Sequence, residues 1–391
     1  MRGKDRRGRK TRNRRWALLL TGILAAGGGW VAYREFDVPL PDTSRLEVAE
    51  IIDNPDRTAE VGISLGSEPM EYSDAEITRQ FDLAASAGVG WVRIDLDWSK
   101  IEATRGSLDW AFVDRAVGLA AERDIRVLGI LAYTPEWARP EGTTDKHPPD
   151  GDDGFANLAA AAVRRYGPDS PRSDLRNTIT HWEIWNEPNI RGFWEGGADP
   201  ERYATLFNAA ATTLRAADPS ATILVGGLAP ADDEGNDLSG PTFLRRFFQA
   251  GGDGSLFDAV GVHPYTFPAL PGENQTWNSW FRITEVISVL RQFNAATGVE
   301  IWVTEFGAPT GGRNSISLEQ HEQMVRSALA CAATSSRFGP VFIYSLVDLN
   351  SRGSDREDHF GLITSDGKAK PAWDTLKEIT GGEGPTPRCG P

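Results

Sequence analysis

The sequence contains little cysteine and little histidine, which limits both disulfide and metal chemistry. Its 391 residues include only two cysteines, Cys331 in an alanine-rich helical pattern and Cys389 near the end of the chain. We expect a buried thiol and a thiol in the tail, and a disulfide formed in an oxidising compartment is the alternative. The five histidines are His147, His181, His263, His321 and His359. None of them shows the HExxH or another paired-ligand spacing, so we expect no metal and no cofactor.

Positive charge is scarce outside the first 15 residues. Residues 1–15 hold nine Lys or Arg and one Asp, a balance of about +8. The formal net charge of the whole chain is −14, which leaves about −22 for the remainder. We therefore expect the body of the protein not to bind nucleic acid or an anionic membrane surface, and to have an acidic, well-solvated surface.

Long apolar runs are also scarce, and the one that stands out follows the basic head. Residues 16–33 carry no charge over 18 positions, which is close to the shortest length that spans a bilayer. Trp16, Trp30 and Tyr33 are suited to the two membrane interfaces. We expect an uncleaved membrane anchor at 16–33, preceded by a basic cytoplasmic head at 1–15.

The basic head favours an orientation with the N-terminus inside the cell. Residues 34–60, which include Pro39 and Pro41, then form a tether to an extracytoplasmic body. The alternative is a cleavable signal peptide and secretion, because Ala26, Gly27 and Gly28 offer small residues at a suitable spacing. In both cases the body acts outside the cytoplasm.

Strand and helix patterns alternate strictly between residues 61 and 380, and residues 381–391 form a tail. The predicted strands are 61–66, 91–98, 126–133, 181–187, 222–228, 259–265, 301–305 and 341–347. The predicted helices are 74–87, 108–123, 155–166, 200–217, 242–250, 277–293, 318–336 and 371–379. Eight such pairs predict an α/β fold of the (β/α)8 (TIM) barrel type. A doubly wound sheet is the alternative, but Gly62 to Gly66 lacks the full glycine fingerprint expected after its first strand.

Two of the predicted strands end in a glutamate followed by strand-breaking residues. Glu187 is followed by Pro188, and Glu305 is followed at a short distance by Gly307 and Pro309. Parallel barrels carry their chemistry at the carboxyl ends of the strands. Hydrolysis of a glycosidic bond needs one protonated and one ionised carboxyl group, so these two glutamates predict a glycosidase site.

The sequences Trp185-Asn186-Glu187-Pro188 and Thr304-Glu305-Phe306-Gly307 resemble the strand-four and strand-seven motifs of glycoside hydrolase clan A. The resemblance covers about residues 61 to 380. It implies a retaining enzyme with Glu187 as acid/base and Glu305 as nucleophile, and it implies that Asn186 binds the sugar 2-hydroxyl. The pattern is closer to family 39 than to family 5, whose members usually have a histidine where this chain has Tyr133 and a strand-eight tryptophan that this chain lacks.

Further residues match the clan pattern one at a time. Arg93 matches the strand-two arginine that keeps the nucleophile ionised, although a core arginine paired with Glu183 or Asp95 is the alternative. His263 and Tyr265 match the strand-six pair, and the tyrosine hydroxyl would hold the nucleophile.

Aromatic residues in the loops are candidates for stacking against sugar rings. They are Tyr133, Trp137, Phe193 and Trp194. Packing of the loops themselves is the alternative for all of them, and for Asp97 and Trp98 after strand two. The loop at residues 350–360 is long enough to wall one side of a cleft.

These observations predict a retaining glycosidase that cleaves β-linked polysaccharide or oligosaccharide of the cell envelope or outside the cell. The expected partners are the glycan substrate and, through residues 16–33, the membrane. We expect a monomer. A transglycosidase and a catalytically silent carbohydrate-binding barrel are the alternatives.

Overall fold

The computed structural model describes residues 58–66, 70, 72–273, 277–295, 297–382 and 389. The predicted head, membrane segment and most of the tether lie outside the described residues, so those predictions stay predictions. Within the part of the chain that the structure describes, no helix is long and apolar enough to cross a membrane.

Eight parallel strands, β1 to β8, close into a barrel in sequence order, which confirms the predicted (β/α)8 architecture. They are β1 (Val61–Ser64), β2 (Trp91–Asp97), β3 (Arg126–Ala132), β4 (His181–Asn186), β5 (Thr222–Leu228), β6 (Ala259–Val262), β7 (Glu300–Phe306) and β8 (Phe338–Ile343). Pairing of β1 with both β2 and β8 closes the barrel. The carboxyl ends of all eight strands therefore meet at one face.

The α-helices of the described residues lie between and after the strands. They are α1 (Asp74–Ser86), α2 (Trp98–Ile101), α3 (Ala111–Ala121), α4 (Asp152–Tyr166), α5 (Pro200–Ala217), α6 (Gly240–Gln249), α7 (Arg282–Gln292), α8 (Leu318–Ala333) and α9 (Pro371–Gly381). The sequence pattern missed the one-turn helix α2. Asp97 caps it by accepting a hydrogen bond from the backbone N–H of Ser99.

Large side chains fill the amino end of the barrel. Trp91, Trp302 and Phe342 pack edge to face or stacked, with ring centroids 5.2 to 6.3 Å apart. His181 lies against Trp91 with a centroid distance of 4.7 Å, and burial lowers the pKa of this histidine to about 4. Packed rings therefore fill the amino end of the barrel, and charged side chains such as Arg126 and Glu60 contact the Trp91 ring from its rim.

The last strand begins three residues earlier and ends four residues earlier than the predicted 341–347. Pro340 lies inside this strand although proline has no N–H to donate to a ladder. The register between β7 and β8 shifts here: Ile301 pairs with Phe338, and Val303 pairs with Val341. This bulge places one extra residue in β8, which accommodates the proline inside a closed barrel.

The expectation of two free thiols is wrong. Cys331, in α8, forms a disulfide with Cys389 across a sequence separation of 58 residues. The bond links Cys389 to α8. Sequence position gave no sign of this contact, because the two residues are brought together only when the chain packs around the barrel.

Candidate active site

Glu187 follows β4 directly, at the end of a segment with unusual backbone geometry. Trp185 and Glu187 have φ angles of 68° and 48°, in the left-handed region that larger residues rarely adopt. The Trp185 ring packs against Trp194 and Phe155, at centroid distances of 5.1 and 5.9 Å, and its Nε1–H donates to the Phe193 carbonyl. Burial of this ring holds the backbone in the strained conformation that carries Glu187 into the barrel mouth.

Glu305, near the end of β7, is held by two donors. Arg93 Nη1 donates to Glu305 Oε1 at 2.5 Å, and the Tyr265 hydroxyl donates to Glu305 Oε2 at 2.8 Å. Burial alone would raise the pKa of Glu305, but His263 when it is protonated, the positive charge of Arg93 and these hydrogen bonds lower it. Glu305 is therefore held in its ionised form.

A buried polar chain connects Arg93 to Glu187 across the barrel. Arg93 Nε donates to Glu183 Oε2 at 2.6 Å, and the Thr304 hydroxyl donates to Glu183 Oε1 at 3.0 Å. His263 Nε2 lies 3.1 Å from Thr304 Oγ1, and His263 Nδ1 lies 2.8 Å from Glu187 Oε1. The alternative partner of Arg93, Glu183, is thus engaged at the same time as Glu305.

This chain determines where the histidine proton lies. Thr304 has one hydroxyl hydrogen and uses it for Glu183, so it can only accept from His263 Nε2. A neutral His263 then has a bare Nδ1 facing Glu187, and the short contact needs one proton between them. Burial raises the pKa of Glu187. Burial lowers the pKa of His263, but the charges of Glu305 and Glu187 outweigh it and raise that pKa. The pair therefore keeps a shared proton next to the ionised Glu305.

Two glycines make room for the polar chain. A Cβ atom at Gly227 of β5 would collide with Nε2 of His263, and a Cβ at Gly261 of β6 would lie 2.6 Å from Glu183 Oε1. Neither contact is compatible with a side chain. The polar chain therefore depends on the absence of side chains at two neighbouring strand positions.

Asn186 is oriented by the same arginine. Arg93 Nη2 donates to Asn186 Oδ1 at 2.8 Å, which leaves the amide Nδ2 directed to other partners. Asn186 lines the cleft beside Glu187 and Glu305. Its N–H groups are thus available to a hydroxyl on a bound ligand.

The two glutamates and His263 also have the spacing of a metal site. One ligand atom of each lies within 4.8 Å of the others. The donor set fits a divalent cation poorly, because Arg93 already contacts Glu305 and places a fixed positive charge there. The expectation of no metal stays a prediction.

A cleft of about 1300 Å³ opens above the strand ends. Of the predicted binding residues, Arg93, Asn186, Tyr133 and Tyr265 line it, whereas His263 is fully buried behind Glu187. Phe193 also lines the cleft, as do Leu349, Arg356, Glu357 and Phe360 from the segment after β8. This agrees with the expectation that the loop at residues 350–360 walls one side.

Two predicted stacking residues do not line the cleft, so the prediction for them is corrected. Trp194 is 1% exposed and packs between Trp185 and Tyr203. Trp137 packs on the buried Trp98 at 5.5 Å, and its Nε1–H donates to the Glu102 carbonyl. Both rings fill space between loops and helices, which was the alternative for these residues.

Three polar residues of the site were not predicted as functional. Glu183 and Asp95 were considered only as partners of Arg93, and Thr304 only as part of a motif. Side chains two residues apart in a strand lie on the same face of the sheet. Asp95 is two residues from Arg93, and Glu183 is two residues from His181, so the sequence did indicate that these side chains share a face. The period alone does not tell which inward-facing residue contacts which.

Comparison with known proteins agrees with this geometry. A family model described as glycosyl hydrolase catalytic core matches residues 159–372, more than half of the chain. A second model, described as beta-galactosidase, matches residues 68–152. No curated protein matches the chain at a significant level.

Similar solved structures come from several bacterial glycosidases. A family 39 glycoside hydrolase from Bacteroides cellulosilyticus WH2 is 23% identical with a TM-score of 0.65, and the match covers 84% of this chain and 64% of that chain. A monomeric beta-xylosidase from Caulobacter crescentus CB15 is 20% identical with a TM-score of 0.60, covering 84% and 69%. An exo-beta-1,4-mannosidase from Opitutaceae bacterium strain TAV5 is 19% identical with a TM-score of 0.57, covering 83% and 59%.

At these identities the likeness concerns the fold. The family model adds the functional region, because its range includes the ends of β4, β6 and β7 with Glu187, His263 and Glu305. The chain belongs to the glycosyl hydrolase catalytic core family.

Proposed function

We propose that this protein is a retaining glycoside hydrolase that cleaves β-linked O-glycosidic bonds of a polysaccharide or oligosaccharide. One observation carries the proposal: carboxylate oxygens of Glu187 and Glu305 lie within 4.8 Å of each other, with pKa values displaced in opposite directions. Carboxyl groups of retaining enzymes are about 5 to 5.5 Å apart, whereas inverting enzymes leave about 6.5 to 9.5 Å for a water molecule.

In the first step Glu305 acts as the nucleophile. Its carboxylate forms a bond to the anomeric carbon while the bond from that carbon to the leaving oxygen breaks, and Glu187 gives its proton to that oxygen. Arg93 and Tyr265 keep Glu305 ionised and oriented before the attack. The amide of Asn186 donates to the sugar 2-hydroxyl.

In the second step Glu187 changes from general acid to general base. The Glu187 carboxylate takes a proton from water, the water oxygen bonds to the anomeric carbon, and the ester bond to Glu305 breaks. The step ends with Glu187 protonated again, the form that its contact with His263 Nδ1 favours. A transglycosidase would differ only in using a sugar hydroxyl in place of water.

The test is covalent trapping of the full-length chain. The protein is exposed to 2-deoxy-2-fluoro β-glycosides of xylose, glucose, mannose and galactose with dinitrophenyl leaving groups, and intact mass and peptide mapping follow. We expect one stable adduct on Glu305. The variant Glu305→Gln, which is nearly isosteric, is the matched control and should acquire none.

Other outcomes discriminate among the alternatives. An adduct on another residue would contradict the assigned roles. Absence of any adduct, together with undiminished polysaccharide binding by Glu187→Gln, would indicate a silent carbohydrate-binding barrel. Transfer products that exceed free sugar at low acceptor concentration would indicate a transglycosidase.

We also propose that the barrel acts outside the cytoplasm, on a cell-envelope or extracellular glycan, held to the membrane by residues 16–33. The basic head and the uncharged segment support this location, and so does the disulfide between Cys331 and Cys389, which persists in oxidising compartments. Fractionation of the native host with protease treatment of intact cells tests it. A mature N-terminus beyond Tyr33 and protein free in the medium would favour secretion.

A further inference from the structure

One buried carboxyl group at the barrel mouth has no hydrogen bond. Asp95 lies in β2, two residues after Arg93 on the same face of the strand, and is 5% exposed. Within the described residues its carboxylate accepts no hydrogen bond, whereas each of the other buried carboxyl groups accepts at least one. Those groups are Asp97, Glu183, Glu187, Asp218 and Asp348.

The cations nearest to Asp95 are engaged elsewhere. Arg93 directs its donors to Glu183, Glu305, Asn186 and Ser64. The Lys146 ammonium lies over the ring of Tyr133, 3.0 Å from its centroid. Burying a carboxyl group without a partner is unfavourable, and burial raises the pKa of Asp95 to about 7. Among the described residues no donor reaches this carboxylate, and its free side faces the cleft.

Tyr133 places a second polar group without a protein hydrogen bond at the same part of the cleft. Its side chain is 4% exposed, and its hydroxyl has no hydrogen bond within the described residues. A φ angle of 69° at Tyr133 is unusual for a tyrosine, and the ring is fixed by edge contact with Trp185 at 6.1 Å. Asp95 and Tyr133 both line the cleft, next to Arg93.

We propose that Asp95 and Tyr133 form a recognition site for the glycone, the sugar whose anomeric carbon is attacked, and that the site selects a neutral sugar with ring hydroxyls beyond C2. This inference rests on the proposed hydrolase function. Glu305 must approach C1 and Asn186 the 2-hydroxyl, so the more distant hydroxyls are the ones left to meet a neighbouring acceptor. A sugar hydroxyl donates to Asp95 and supplies the missing hydrogen bond.

The charge of this wall argues against an anionic glycone. Asp95 and Glu305 both line the cleft, and besides burial the negative charges of Asp97 and Glu305 raise the pKa of Asp95. A uronate placed here would add another negative charge to a buried, weakly screened site. The site thus favours neutral pyranosides over uronides by repulsion as well as by hydrogen bonding.

A substrate and variant cycle tests the inference in the full-length protein. The best of the 4-nitrophenyl β-glycosides of xylose, glucose, mannose and galactose is compared with its 3-deoxy and 4-deoxy analogues, in wild type and Asp95→Ala. We expect one deoxy analogue to lose about 100-fold in kcat/KM with wild type and less than threefold with Asp95→Ala. Asp95→Asn keeps the shape and one acceptor oxygen, so it should give an intermediate ratio. Asp218→Asn, a buried acid outside the cleft, is the matched control and should behave as wild type.

The outcomes separate this inference from the function on which it rests. An active wild type with the same deoxy losses in every variant would overturn the inference and leave the hydrolase proposal intact. A β-glucuronide cleaved faster than the matched β-glucoside would also overturn the inference alone. A wild type that cleaves no glycoside would overturn the proposed function and the inference with it.

Discussion

Thr304 Oγ1 accepts a hydrogen bond from His263 Nε2 at 3.1 Å, because its own hydrogen is donated to Glu183. This relationship leaves Nδ1 of a neutral His263 without a hydrogen and in contact with Glu187. Neither Thr304 nor Glu183 contacts the sugar in the proposed mechanism. They are positioning residues that favour the protonated form of Glu187.

Replacing Thr304 with valine should shift the pH dependence of activity. Without the hydroxyl, neutral His263 can carry its hydrogen on Nδ1 and donate it to an ionised Glu187, which lowers the pKa of the acid/base. We expect the alkaline limb of the kcat/KM profile to move down by about one pH unit and activity at pH 7 to fall about tenfold. Thr304→Ser keeps the hydroxyl and should restore both. A uniform loss with an unmoved limb would indicate a purely structural role.

Removing each glutamate should give products of opposite configuration in the presence of azide. Glu187→Ala should lose about 10²- to 10⁴-fold in kcat, the usual contribution of general acid–base catalysis. Azide should restore it and yield a β-glycosyl azide, since the anion replaces water on the glycosyl enzyme. In Glu305→Ala azide replaces the nucleophile and should yield an α-glycosyl azide. NMR of the products distinguishes the two, and exchanged configurations would reverse the assigned roles.

Asp95 should make the unliganded protein less stable as pH rises. Burial raises its pKa from the ordinary value of 3.8 to about 7 in the folded protein, so the folded state binds the proton more tightly than the unfolded state. The free energy of unfolding should fall by about 1.4 kcal/mol per pH unit between about pH 4 and 7 from this group. Asp95→Asn should remove that slope in urea denaturation, whereas the exposed Asp169→Asn should retain it. An unchanged slope in Asp95→Asn would contradict the burial of an ionisable, unpaired carboxyl.

Breaking the disulfide should destabilise the barrel. Closing a loop of 58 residues is worth about 2 to 4 kcal/mol in the unfolding free energy. Cys389→Ser and reduced wild type should therefore show the same lowered melting temperature. Reductant should have no effect on Cys389→Ser. A wild type insensitive to reductant would mean that the two cysteines are not joined in solution.

The barrel and its two glutamates were predictable because their signals are local. Strand and helix periods repeat along the chain, and Pro188 and Gly307 mark the ends of strands next to Glu187 and Glu305. The bulge at Pro340 and the bond between Cys331 and Cys389 depend on partners distant in sequence.

Within the site, the sequence predicted which residues are present more accurately than it predicted their contacts. Arg93, Asn186 and Tyr265 were expected near the glutamates from motif likeness, and the structure places them there. Trp194 is an aromatic residue in a loop near the strand ends, as a sugar-stacking residue would be, but its ring packs against Trp185. The Asp95 carboxyl is free because no donor of the described residues reaches it in the folded protein. No pattern in the sequence indicates this.

Gly227 and Gly261 limit the substitutions that the polar chain tolerates. Both positions lack a side chain, and the side chains of His263 and Glu183 fill the space that a Cβ atom would need. Alanine at Gly227 would displace His263, and alanine at Gly261 would displace Glu183, while both Glu187 and Glu305 remain in the sequence. Such a variant would keep both glutamates and lose the contacts that orient them, so the absence of a side chain at these two positions is as necessary to the site as the glutamates themselves.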